Sequence, residues 1–183
     1  MLAVEKTIVY FEKAGKINTE ETLRLAQMRA HELGITNIVL PSGTGYTAKK
    51  ALEIVKDLRV IVVGLGRDSF DANLLRELTK DGVPVLFSGE VEYTYPERMQ
   101  NAFRKLSEGV KVCMDVCMIA AEQGVLPEGE EVVAIGGTGS RSFPEGGGVD
   151  TALVMIPKKS ESFNMIPEKL ERRDVKEIIC KPR

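Results

Sequence analysis

The chain contains no tryptophan, one histidine and three cysteines. A lone histidine falls short of the imidazole and thiolate sets that zinc sites draw on. It also leaves a Ser-His-Asp triad without support, because His31 falls in the last turn of the first expected helix, where a cation complements the helix dipole. Cys113, Cys117 and Cys180 form no Cys-x-x-Cys pair and are read as buried small hydrophobes, so no metal site and no disulfide framework is expected. A basic excess is missing too: Lys+Arg 25 against Asp+Glu 27 leave a formal charge of −2, which argues against a nucleic-acid partner held by phosphate contacts. No apolar run reaches the roughly 20 residues that span a bilayer, so no membrane role is expected. Glu5 brings an acid too early for a secretory leader. The expectation is a cytoplasmic protein.

What is present fits one domain over residues 1–183, with hydrophobic residues at 43% of the chain. Short apolar runs alternate with helical periodicity. Thr7–Tyr10 suits a buried strand. Asn18 caps a helix carrying Leu23, Ala26 and Ala30, Glu21 reaches back to that cap, and Gly34 closes the helix. The run Asn37–Leu40 is a continuous apolar strand, and Ala48, Ala51 and Leu52 mark the helix after it. Val60–Val63 and Val83–Phe87 are further strands, with Leu74, Leu75 and Leu78 on the helix between. Pro96 starts a helix bearing Met99 and Phe103, Gly109 interrupts, and Val110–Ala120 continues helically. Glu131–Ile135 and Ala152–Ile156 complete the core strands, and Glu177–Cys180 adds an edge strand. Strands that are apolar throughout and alternate with helices predict a three-layer α/β domain around a mostly parallel sheet. Only a glycine-rich loop joins the last two core strands, which predicts that the final one runs antiparallel.

In such sheets ligands bind beyond the carboxyl ends of the strands, where strand order reverses. Three strands here end in glycine-bearing loops: Ser42-Gly43-Thr44-Gly45-Tyr46-Thr47, Gly64-Leu65-Gly66 and Gly136-Gly137-Thr138-Gly139-Ser140. The first leads straight into a helix, and open amides at a helix N-terminus favour a phosphate monoester. Neither Gly-Thr-Gly loop carries the third glycine of the dinucleotide fingerprint, and no Gly-Lys-Ser/Thr follows, which excludes a Walker loop.

The stretch from Ile38 to Ala48, with Val132–Gly139 and the run Gly146-Gly147-Gly148-Val149-Asp150-Thr151, resembles the C-terminal α/β domain of pyruvate kinase over roughly residues 34–156. The chain is closer still to small stand-alone archaeal proteins of that fold, which share its Tyr10-Phe11-Glu12 and Asn18-Thr19-Glu20 opening. The resemblance implies a sheet ordered 3-2-1-4-5 with strand five antiparallel, counting Asn37–Leu40 as strand one, and short extra strands at the termini. Both Gly-Thr-Gly loops would then flank one crevice. The stand-alone relatives are associated with flavin mononucleotide (FMN). By that resemblance Ser42–Thr47 holds the phosphate, Gly136–Ser140 lines the ribityl chain or ring, Gly64 and Gly66 permit close approach, and Phe11 and Asn18 complete the pocket. A homo-oligomer is implied as well. Pyruvate kinase activity is not, because that chemistry belongs to a separate barrel domain for which 183 residues leave no room.

Acid–base residues are scarce near these loops. Asp68, Asp71 and Asp150 stand where they can ligate Mg²⁺ around a phosphate, although Asp71 equally suits a helix cap. Asp115 is read as solvated, and Tyr46 either stacks on a ligand ring or packs on the next helix. No nucleophile–base pair emerges. The expectation is a binder of a small phosphorylated ligand, FMN foremost. A flavin-dependent oxidoreductase and a regulatory or assembly module binding a sugar phosphate are the alternatives.

Overall fold

The computed structural model describes residues 3–139, 147–164 and 174–183. Seven strands form one sheet: β1 (Val9–Phe11), β2 (Asn37–Pro41), β3 (Arg59–Gly64), β4 (Val85–Phe87), β5 (Val132–Gly136), β6 (Thr151–Met155) and β7 (Val175–Pro182). Their order is β1-β7-β6-β5-β2-β3-β4. The five strands from β4 to β6 in that order realise the implied 3-2-1-4-5 arrangement, and β6 alone runs antiparallel to its neighbours.

Alternation along each strand sends successive side chains to opposite faces, and both faces are covered. Ile38, Leu40, Val60, Val62, Val133 and Ile135 meet α1 (Thr19–Leu33), α2 (Tyr46–Ile54) and α3 (Ala72–Lys80). Val39, Ile61, Val63, Val132 and Ala134 meet α5 (Glu108–Glu122), with α4 (Glu97–Arg104) and α6 (Ser160–Asn164) packed beside it. Helix α5 is mostly apolar, with ten of its fifteen residues buried, including Cys113 and Cys117. The helix ends follow local chemistry. Gly34 closes α1 in the left-handed conformation, Asp71 caps α3 by accepting from the Asn73 and Leu74 amides, and Ser107 caps α5 through Val110.

Three expectations need correction. The N-terminal strand begins at Val9 and is the sheet edge rather than buried: it has one neighbour, and Tyr10 is 51% exposed. Strand β7 runs from Val175 to Pro182 and lies between β6 and β1, so it is not the edge. Its mostly half-buried residues and two register shifts against β6 blur the apolar run that would announce it. Finally, Asn18 does not cap α1. A 3-10 turn at Lys16–Asn18 precedes that helix, and the Asn18 side-chain NH₂ donates to the Lys13 carbonyl at 2.6 Å instead.

Candidate functional site

Strand order reverses between β2 and β5, and beyond their carboxyl ends lies a crevice of about 600 Å³. One wall is the turn from β2 into α2. Gly45 sits there at φ +99°, which calls for glycine, and an added Cβ would come within 2.8 Å of Leu74 Cδ2 and make that side chain turn aside. The carbonyls of Gly43 and Thr44 are tied down, accepting from Ser69 Oγ at 3.2 Å and from the Asp71 amide at 3.1 Å. The amides of Gly43, Thr44 and Gly45 have no acceptor among the described residues. The turn is therefore fixed through its acceptors while its donors stay open, next to the positive end of the α2 dipole.

A strap of chain from Glu12 to Thr19 crosses the same region. Its Gly15 amide donates to Asp150 Oδ2 at 2.7 Å, Thr138 Oγ1 donates to the same oxygen, and Thr151 Oγ1 reaches Oδ1 at 3.0 Å. Asp150 is wholly buried, so it joins the strap to the β5 loop and to the start of β6 and is no exposed Mg²⁺ ligand. Thr19 Oγ1 accepts the Val149 amide at 3.1 Å, which fastens the strap a second time. Lys16, carried on this strap, places its Nζ 4.2 Å from the centre of the Tyr46 ring and lines the crevice. Among the described residues it forms no ion pair.

The opposite wall is the face of α5 that bears Glu108, Lys111, Val112, Asp115, Val116 and Ile119. Asp115 is not solvated as expected. Lys111 Nζ stands 3.1 Å from its Oδ2, the Tyr93 hydroxyl donates to Oδ1 at 2.8 Å, and the side chain is 20% exposed. Burial first, and then the neighbouring Asp115, push the Tyr93 phenol well above its ordinary range, so it stays a donor. The backbone at the head of α5 lies directly on β5: a Cβ on Gly136 would strike the Gly109 carbonyl and come within 2.9 Å of Cys113 Sγ.

The structure brings Ser42, Gly43, Thr44, Tyr46, Thr47, Gly64, Gly137, Thr138 and Gly139 to this one crevice. Ser42 contributes from below, buried, with its hydroxyl accepting the Ala48 amide at 3.2 Å and so holding the first turn of α2 rather than facing a ligand. Gly45 shapes the turn but faces a neighbouring hollow between α2 and α3. Gly136 is sealed beneath α5, and Gly66 lies outside the lining. Phe11 packs against the core at the sheet edge, and Asn18 is turned to Lys13, so neither lines the crevice. Ser140 lies outside the described residues. Asp71 is a helix cap, and Asp68 is exposed on the loop before it. Sequence reading missed Lys16, Lys111 and Asp115. The α5 stripe was visible in its i, i+3, i+4 spacing, whereas nothing local marked Lys16. Among the described residues, no group of three or more His, Cys, Asp or Glu side chains is placed to hold a metal ion, and no helix is long and apolar enough to cross a membrane.

Among solved structures, a pyruvate kinase from Cryptosporidium parvum is similar at 14% identity and a TM-score of 0.45, with 76% of this chain and 23% of that one covered. A second, Cryptosporidium parvum pyruvate kinase in complex with ADP, gives 17% identity and a TM-score of 0.44, covering 85% and 25%. The chain thus spans about a quarter of the length of these enzymes. The pyruvate kinase alpha/beta domain is matched over residues 20–155, from the start of α1 to the end of β6, and the chain belongs to that family.

Proposed function

We propose that the protein binds a small phosphate monoester, FMN foremost, in the crevice between β2, β5 and α5. The observation that carries this reading is the β2–α2 turn at a helix N-terminus: its Gly43 and Thr44 amides are without an acceptor among the described residues, and these two residues line the same crevice as Lys16, whose ammonium forms no ion pair there. A dianionic phosphate would satisfy both. The crevice volume of about 600 Å³ lies within the range typical of sites for molecules of this size. Val112 gives its far side an apolar surface suited to a flat ring, with Val116 and Ile119 buried behind it. In this role Gly43, Thr44 and Lys16 hold the phosphate, Gly45 shapes the turn, and Tyr46 fixes Lys16. When bound, a flavin supplies redox chemistry of its own, and the protein's part is to position it.

The reading is one of binding and assigns the chain no phosphoryl transfer. We read the protein as cytoplasmic, in keeping with three buried unpaired thiols, and as a homo-oligomer on the resemblance to its relatives. Sedimentation as a monomer with and without ligand would remove the oligomer. For the site itself, fluorescence titration compares FMN with riboflavin, which lacks the phosphate, on the wild type and on Gly43→Ala and Thr44→Ala. FMN is expected to bind at least about ten-fold more tightly than riboflavin, with that preference reduced in the loop variants. Equal affinity for the two flavins would overturn the assignment of the turn to phosphate. Reduction of bound flavin by NADH or NADPH without oxygen would favour an oxidoreductase.

A further inference from the structure

We propose that the α5 wall selects what the phosphate carries. Asp115, with Lys111 beside it, recognises an uncharged ring edge in which an N–H adjoins a carbonyl, and it disfavours a second phosphoryl group. The inference rests on the reading of the β2–α2 turn as the phosphate end. A carboxylate offers about four acceptor sites. Tyr93 and Lys111 occupy one on each Asp115 oxygen, at 2.8 and 3.1 Å, which leaves acceptor capacity on a side chain that lines the crevice. Lys111 Nζ likewise has donors left after its bond to Asp115. An acceptor and a donor four residues apart on one helix face stand side by side. Val112, which follows Lys111 in sequence, extends the same stripe as an apolar contact, backed by the buried Val116. That combination complements a planar ring whose rim pairs N–H with C=O, as in a cyclic imide.

Charge on this wall points the same way. Arg104 Nε lies 2.7 Å from Glu108, and Lys111 is matched by Asp115, so each cation of the wall is already neutralised. Among the described residues, Lys16 is the one crevice cation without an ion pair. A second phosphoryl group against α5 would meet two carboxylates, with no unpaired cation of that wall among the described residues to offset them. The crevice suits one phosphate and a neutral ring, not a bisphosphate.

Calorimetric titration of FMN, uridine 5′-monophosphate, ribose 5-phosphate and fructose 1,6-bisphosphate onto the wild type, Asp115→Ala and Asp115→Asn tests this. The first two ligands present an imide edge, and their ranking in the wild type tells which ring the crevice prefers. The preferred one should lose about ten-fold in Asp115→Ala, as befits a hydrogen bond to a charged acceptor. It should lose less in Asp115→Asn, which keeps a carbonyl acceptor and nearly the same shape. Ribose 5-phosphate should stay within about two-fold, and the bisphosphate should gain as Lys111 is freed. Equal losses for the ring-bearing ligand and ribose 5-phosphate, or no loss for the former, overturn the role of Asp115. Wild-type binding of ribose 5-phosphate with no preference for either ring defeats this inference alone. Failure of every monophosphate to bind defeats the phosphate site and this inference with it. Should Asp115→Ala not fold, the near-isosteric Asp115→Asn decides.

Discussion

Replacing Asp150 by alanine should cost the fold heavily, and replacing it by asparagine should not. The wholly buried carboxyl group accepts from the Gly15 amide, from Thr138 Oγ1 and from Thr151 Oγ1. Alanine removes all three acceptor contacts. The Gly15 amide is buried and has no second acceptor among the described residues, so it bears a desolvation cost of about 1–3 kcal/mol. The two hydroxyls can turn to other acceptors, at about 0.5–1 kcal/mol each. The expected loss is about 3 kcal/mol. Asparagine can place its oxygen where Oδ2 serves Gly15 and Thr138, while Thr151 rotates to accept from the new NH₂ group; about 1 kcal/mol is expected. With a urea slope of about 2–3 kcal/mol/M, the alanine variant's midpoint should fall by about 1–1.5 M and the asparagine variant's by less than half as much. Because the strap carries Lys16, FMN affinity should fall in Asp150→Ala even under conditions where the variant remains folded. A midpoint within about 0.2 M of wild type for alanine, or equal losses for both variants, would refute the account of Asp150 as the strap's anchor.

Other outcomes follow from the same geometry. Gly45→Ala should lower stability by about 2 kcal/mol in chemical denaturation, from a left-handed φ of +99° together with a Cβ 2.8 Å from Leu74. Arg29, buried on α1, forks onto Glu177 of β7 at 2.7 and 2.6 Å, and that bond holds the Glu177 carboxyl below its ordinary pKa of 4.5. A depressed carboxyl pKa stabilises the fold above the unfolded value, and this is lost as pH falls through the folded one. Acid titration of stability should therefore be less steep below about pH 5 in Glu177→Gln than in wild type. Burial raises the Cys113 and Cys117 thiols far above their usual range and pushes Cys180 up to about 12, so none should react with a thiol reagent until the protein is unfolded. Fast labelling of the native protein would contradict the packing of α5 on β5.

The central architecture was legible because strands β2, β3 and β5 are continuous apolar runs, the mark of strands buried on both faces, and because Gly34 and Asp71 are strong local stop and start signals. β7 was read short and misplaced since half-buried residues and two register shifts dilute its pattern, and its place beside β1 is a long-range fact. The site divides along the same line. The glycine turn was visible because its conformation is local. Lys16 reaches the crevice because its strap is fastened by Gly15 to Asp150 and by Thr19 to Val149, across 135 and 130 positions, which no spacing rule records. The serine of the turn was read as a ligand hydroxyl, yet Ser42 bonds to Ala48, an alternative open to any serine near a helix start. Asp115 was set aside because Cys113 and Cys117 define the apolar side of α5, and a helix packed between core and crevice presents two functional faces.

The most direct test is the visible absorption spectrum of the purified protein, followed by titration with FMN and mass spectrometry of what heat denaturation releases. The account predicts a flavin spectrum with FMN released, or saturable binding of added FMN that inorganic phosphate competes away. A colourless protein whose spectrum and fluorescence ignore added FMN would contradict it.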